Sequence, residues 1–176
     1  MEGTHMNRST SPAASDIFVE GGKHEYRIKD QQLTAPAMRA INGVQKVANS
    51  GSIEKSLQEL VKIRASQING CAYCLAMHWK DALKIGERID RLATLDSWRE
   101  ADWFTDRERA AMAWTEALTK LNEQGVTEDL YQAVSSQFSE QEMIDLTVNI
   151  VAINSWNRMA IGFSSRPTPF GLDEVQ

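Results

Sequence analysis

From Thr34 to about Phe163, apolar residues recur every three or four positions, and no segment sustains the apolar–polar alternation of a strand. This pattern confines the chain to helices packed on helices, an all-α bundle. The punctuation divides it into about seven helices. Thr34 with Pro36 opens one that runs to about Asn49, and Asn49-Ser50-Gly51 breaks it. Ser52 or Ile53 opens a second, whose Leu57, Leu60 and Val61 lie on one apolar face. Asn69-Gly70 stops it, because both residues tolerate left-handed backbone angles. A third helix runs from about Cys71 to Ile85, with Gly86 as its stop, and a short one covers Ile89 to Leu95. Thr105 and Glu108 form a capping box for a helix to about Asn122, and Thr127 starts another to Phe138. Ser139 and Glu142 form a second capping box, opening a long apolar helix from Gln141 to about Phe163.

The ends read differently. Residues 1–33 form an irregular arm: Met1 to His5 before Met6 resembles a cloning scar, residues 1–16 are rich in Ser, Thr, Pro and Ala, and Gly21-Gly22 follows. Residues 17–33 are expected to pack on the body or on a neighbouring subunit. Residues 34–164 make the helical domain, and residues 165–176 a non-helical tail with Pro167 and Pro169. The 176 residues are enough for one domain with a real core. A net charge of −5 argues against nucleic acid and against an anionic membrane surface as partners. The most apolar run, Leu146 to Ile153, is interrupted by Thr147 and Asn149 and is far shorter than the ~20 residues of a membrane span. With no apolar leader near the start, a soluble, cytoplasmic protein is expected, where two cysteines are seldom a permanent staple.

The chemistry concentrates between Asn69 and His78. Cys71 and Cys74 are three residues apart and His78 is four further on, so thiol, thiol and imidazole share one helix face. His78 leans back toward Cys74, because side chains tilt toward the helix N-terminus. With Gly70 ending the preceding turn, both cysteines fall where the unpaired N–H groups of a new helix favour a thiolate. A thiolate with a second thiol in reach suits peroxide reduction: the first sulfur becomes a sulfenic acid and the second condenses with it to a disulfide. His78 can take or give a proton near neutral pH. Glu59 lies on the preceding helix and could orient it across the pair, with Glu54, Asp81 and Glu87 as rival carboxylates.

Glu59 followed after 11 residues by Cys71, then Cys74 and His78, resembles the signature of alkylhydroperoxidase D-like proteins of the carboxymuconolactone decarboxylase superfamily. The flanking words Leu60-Val-Lys-Ile-Arg64 and Ser66-Gln-Ile-Asn-Gly-Cys71 agree, and the likeness covers roughly residues 35 to 160. The resemblance implies the alkylhydroperoxidase D-like helical bundle, assembled as a homo-oligomer, trimer or hexamer. It implies Cys74 as the peroxidatic thiol, Cys71 as the resolving one, and Glu59 with His78 as a water-assisted proton relay. It implies a hydroperoxide substrate, a thiol reductant of the lipoylated or thioredoxin-like kind, and neither haem nor flavin; no metal is expected, since a second Cys/His pair for structural zinc is lacking. Better-characterised members carry a histidine before the second cysteine; this chain has Tyr73, read as pocket wall. Other readings of the same residues are zinc held by Cys71, Cys74, His78 and Glu59, an acid–base decarboxylase acting on a lactone, and a non-enzymatic redox sensor. Trp79, Trp114, Trp156, Met112, Met143 and Met159 are expected to fill core or subunit contacts. His24 reads as a solvated residue of the arm, and Arg64 as a local ion-pair partner or a holder of a substrate carboxylate. Asn154, Asn157 and Arg158, which interrupt the last helix, are expected to satisfy one another across a subunit contact rather than line the pocket near the thiols.

Overall fold

A computed structural model describes residues 26–123, 125–171 and 174. Among them are seven α-helices and no strand: α1 (Ala35–Ser50), α2 (Lys55–Asn69), α3 (Ala72–Lys84), α4 (Ile89–Ala93), α5 (Asp106–Thr119), α6 (Glu128–Ser135) and α7 (Glu140–Gly162). No helix among the described residues is long and apolar enough to cross a membrane. The readings made for residues 1–25, including the scar, Gly21-Gly22 and His24, lie outside the described residues.

α2 is the axis of the bundle, packed against α3, α5 and α7. The expected apolar face of Leu57, Leu60 and Val61 is buried, and so are Gln58, Glu59, Lys62, Ile63, Ala65 and Ser66. Burying each large aliphatic side chain contributes about 1.5–3 kcal/mol, and the polar ones are each given a partner. The Gln58 amide donates to Ile53 O (2.8 Å), and Arg64, expected to pair locally or hold a substrate carboxylate, pairs with Glu116 of α5 (2.7 Å). Glu116 also accepts from the Trp98 indole and pairs with Arg99.

α1 and α7 run antiparallel. The residues after α1 meet the start of α7, where Ser52 donates its N–H and hydroxyl to Asp145 (2.8 Å each). At the other end Arg27 donates its N–H to Phe163 O and its guanidinium to Gly162 O, capping the C-terminus of α7. The end of the N-terminal arm therefore packs on the chain's own body, with Tyr26 edge-on to Phe163. Asn154 and Asn157 of α7 also find partners within one chain, where a subunit contact was expected. The Asn69 amide donates to both Asn154 Oδ1 (3.0 Å) and Asn157 Oδ1 (2.8 Å), Asn157 donates to Ser66 Oγ, and Arg158 donates to Asn154. These bonds tie the α2–α3 turn to α7.

Both capping boxes form, at Thr105/Glu108 and Ser139/Glu142. Boundaries moved where tertiary contacts outweighed local pattern. α2 starts at Lys55 rather than Ser52, because Asp145 takes the N–H and hydroxyl of Ser52 and Ile53 is drawn into the core. α6 stops at Ser135 because Phe138 turns inward to be buried. α5 stops at Thr119, and residues 121–123 form a turn instead of reaching Asn122 as helix. α4 gives way to a 3-10 turn, Leu95–Ser97, which buries Leu95 beside Leu92.

Gly51, just after α1, lies close against α7: a Cβ there would lie 2.8 Å from Asp145 Cγ. Gly51→Ala should lower the unfolding free energy by about 1–3 kcal/mol, the usual range for overpacking. A denaturant midpoint equal to the parent's would refute this close approach.

Candidate functional site

α2 ends in a left-handed residue, Gly70 (φ 68°, ψ 32°), whose N–H bonds back to Gln67 O while the Cys71 N–H bonds to Ser66 O. The chain reverses within this turn, so α3 starts at Ala72 and returns alongside α2. Cys71 is thereby the N-cap of α3 rather than its first helical residue, and its sulfur accepts from the Cys74 N–H at 3.4 Å. Cys71 and Cys74 are joined as a disulfide, with Cα atoms 5.4 Å apart. Both are almost fully buried, 2% and 1% exposed, in a small apolar cluster with Ala65, Ile153, Ala160 and Trp156.

His78 follows Cys74 by one turn, and its Nδ1 lies 2.8 Å from Glu59 Oε2. Of the four candidate carboxylates Glu59 is therefore the one in contact with the imidazole. Glu54 pairs with Arg107 and Glu87 with Arg91, while Asp81 stands nearby on α3. The structure thus brings Glu59, Cys71, Cys74 and His78 together from two adjacent helices. A residue the sequence reading did not single out joins them: Lys62, 6% exposed, whose Nζ is 2.7 Å from Glu59 Oε1. Its offset of three residues from Glu59 was the signal available.

Burial pushes the Glu59 carboxyl upward, but the hydrogen bond and charge of His78, then those of Lys62, outweigh it and hold the group below its ordinary value. Glu59 is accordingly a carboxylate near neutral pH.

A cavity of about 580 Å³ opens on this cluster. Cys74, His78, Glu59 and Lys62 line it, whereas Cys71 lies behind in the apolar cluster. Along α1 and α7 its wall grades from Met38, Trp156 and Met159 to Gln45 and Asn49, and the start of α2 adds Lys55 and Gln58. Trp156 and Met159, expected as packing residues, are cavity wall, while Trp114 and Met112 are core. Tyr73 stands at the rim, 40% exposed, between the cavity and the C-terminal tail. That tail lies along α3, with Lys80 paired to Glu174 and facing the Phe170 ring.

Glu59, His78 and Asp81 present ligand atoms within 4.8 Å of one another, a spacing a divalent cation could use. The Lys62 ammonium already occupies one oxygen of Glu59, and the two sulfurs are bonded to each other, so the zinc set of Cys71, Cys74, His78 and Glu59 is not assembled here.

A disulfide at a helix start, with Cys74 on a cavity wall beside a carboxylate–imidazole pair, sits on an all-helical scaffold. Comparison with known proteins agrees on the scaffold and its lineage. Residues 35–117 match the model of the carboxymuconolactone decarboxylase family. The chain is 36% identical over 140 residues to the uncharacterized protein YdfG of Bacillus subtilis (strain 168), covering 80% of this chain and 95% of that one. Among solved structures it resembles a protein of unknown function from Agrobacterium tumefaciens whose description proposes an antioxidant-defence role as an AhpD. That likeness has a TM-score of 0.79 and 35% identity over 83% of this chain and all of the other. The debrominase Bmp8 shares the fold at 19% identity and a TM-score of 0.71, over 83% of this chain and 80% of that one. The chain belongs to the carboxymuconolactone decarboxylase family, among its alkylhydroperoxidase D-like members.

Because the folded value of Glu59 is depressed, its ionisation contributes stability that is present above the unfolded value of ~4.3 and is lost as pH falls through the folded one. Glu59→Gln also strips Lys62 of its counter-charge. Near neutral pH it should therefore cost about 1–3 kcal/mol. The difference from the parent should vanish in acid, and denaturant unfolding at the two pH values checks both statements.

Proposed function

We propose that this protein is a thiol-dependent peroxidase acting on organic hydroperoxides, in antioxidant defence. The observation that carries this reading is the Cys71–Cys74 pair, with Cys74 alone of the two facing the cavity beside the His78–Glu59 contact.

The Cys74 thiolate attacks the outer oxygen of the hydroperoxide. The O–O bond breaks, Cys74 becomes a sulfenic acid, and the alkoxide leaves as the alcohol after taking a proton. His78 is within one turn of the sulfur and supplies or removes that proton, held in orientation by Glu59. Cys71 then attacks the sulfenic sulfur, water leaves, and the disulfide seen here is formed. An external dithiol, of the lipoylated or thioredoxin-like kind, returns both cysteines to thiols by exchange and is itself oxidised to a disulfide. A reducing cytoplasm would keep such a partner charged. The sum is hydroperoxide plus dithiol giving alcohol, water and disulfide, without haem, flavin or metal.

The cavity favours an organic hydroperoxide over hydrogen peroxide. Its volume lies in the ~300–1,000 Å³ range of small-molecule sites. Its wall offers Met38, Trp156 and Met159 to an apolar body. Tyr73 stands where a second histidine occurs in better-characterised relatives, and as a phenol it can donate a hydrogen bond at the rim. A homo-oligomer, trimer or hexamer, is part of the proposal, supported by the exposed Ile144, Val151 and Ile161 along α7.

With a dithiol reductant and an alkyl hydroperoxide, Cys74→Ser should abolish turnover. Cys71→Ser should complete one oxidation and then stall, with excess peroxide carrying Cys74 to the sulfinic acid, read by intact mass. Undiminished turnover in Cys74→Ser would overturn the assignment. Sedimentation should return a multiple of the chain mass, and a single-chain mass would refute the assembly.

A further inference from the structure

Lys62 takes no part in the steps above, yet its ammonium is buried against the centre of the relay. It binds Glu59 Oε1 at 2.7 Å while the other oxygen, Oε2, is 2.8 Å from His78 Nδ1. The carboxylate is therefore clamped at both oxygens, by a cation on its own helix and by the imidazole of the next. A carboxyl group this buried would take up a proton rather than hold a charge in poor solvent, unless a counter-charge accompanied it.

His78 supplies a positive charge only when it is itself protonated; beside a neutral imidazole, none of the other charged and titratable groups around Glu59 supplies that counter-charge. On α2, the Lys55 ammonium is engaged by Asn49 O and Gln58 Oε1. On α3, Asp81 is a second acid and Tyr73 stands at the rim. α5 offers Glu116, which is held by Arg64, and the parts of α1 and α7 that line the cavity bring only neutral side chains.

We propose that Lys62 is a positioning residue: by keeping Glu59 a carboxylate, it fixes His78 as the tautomer protonated on Nδ1 and leaves Nε2 as the base that serves Cys74. The logic is one of donors and acceptors. An ionised carboxylate has no hydrogen to give, so at 2.8 Å the proton in the Glu59–His78 contact must sit on Nδ1. Neutral imidazole then carries its lone pair on Nε2. In this arrangement Glu59 orients and stabilises the imidazole and does not itself carry the proton. That departs from the shared Glu/His relay implied by the family resemblance. The inference rests on the peroxidase reading only for the identity of the thiol served.

The test uses the full chain with Cys71→Ser, which leaves Cys74 as its single thiol. The rate of Cys74 alkylation by iodoacetamide is followed against pH. Lys62→Gln and Lys62→Met should move the acid limb upward by about one pH unit, a roughly tenfold loss of rate on that limb. Glu59 then becomes protonated where it was charged. Lys62→Arg should keep the parent's limb, because the charge is retained. Neutral variants whose profiles coincide with the parent's would overturn the proposal, as would an Arg variant that shifts as far as Gln. A second measurement does not depend on any Lys62 variant folding: the imidazole ¹⁵N spectrum of the parent should report His78 protonated on Nδ1, and protonation on Nε2 would overturn the proposal. Neither measurement uses peroxide, so absence of peroxide turnover would defeat the proposed function and leave this inference standing.

Discussion

Gly70 and its left-handed turn set the register on which the site depends. A residue at φ 68° ends α2 abruptly and lets α3 begin two residues later, running back along it. Two antiparallel helices joined this tightly have little freedom to slide. Glu59, three turns before the reversal, meets His78, about two turns after it, and Ser66 faces Cys71 across the turn. The same reversal places Cys71 at the N-cap and Cys74 at the third helical position, where free N–H groups favour sulfur anions. A loop two or three residues longer would leave every one of these side chains in the sequence and separate the groups in space.

Placing Glu59 and Lys62 on the central helix has an electrostatic consequence. α2 is surrounded on most sides, so Glu59 and Lys62 are taken out of water together. Desolvating each ion costs several kcal/mol, and a close pair recovers that cost only with good geometry and further hydrogen bonds. Here Glu59 has two partners at 2.7 and 2.8 Å, and Lys62 keeps contact with the cavity, where its remaining N–H groups can meet solvent or substrate. The polar seams elsewhere follow the same rule. Asn69, Asn154, Asn157 and Ser66 satisfy one another between the turn and α7, which holds the α2–α3 hairpin against the longest helix of the fold.

Much of this was legible in the residues themselves. The helical period, the two capping boxes and the Asn69-Gly70 stop located the helices to within a few positions, because each rests on a short-range interaction. Cys71, Cys74 and His78 were legible together because one helix face carries them. Glu59 was legible only because a tight turn makes the facing position on the previous helix calculable. The remainder depends on contacts between segments far apart in sequence. Nothing around Trp156 or Met159 marks them as cavity wall, since their place follows from how α7 crosses the hairpin. Ser52 carries no sign that Asp145, 93 positions later, will hold it out of α2. Lys62 had a local signal, its spacing from Glu59, but a Glu–Lys pair at that offset is ordinarily a solvated one, and only the burial of α2 gives it a different meaning.

The cavity is built from two kinds of wall. One side comes from the α2–α3 hairpin, between Lys55 and Asp81, whose geometry is internal to it; the facing side comes mainly from α1 and α7, which bring neutral side chains. Shape and reactivity are therefore inherited separately. Drift along Met38, Gln45, Trp156 or Met159 can resize or repolarise the chamber while the disulfide-bearing hairpin is passed on unchanged. A lineage built this way can change its choice of substrate by resurfacing two helices, and a designer could retarget it by the same route.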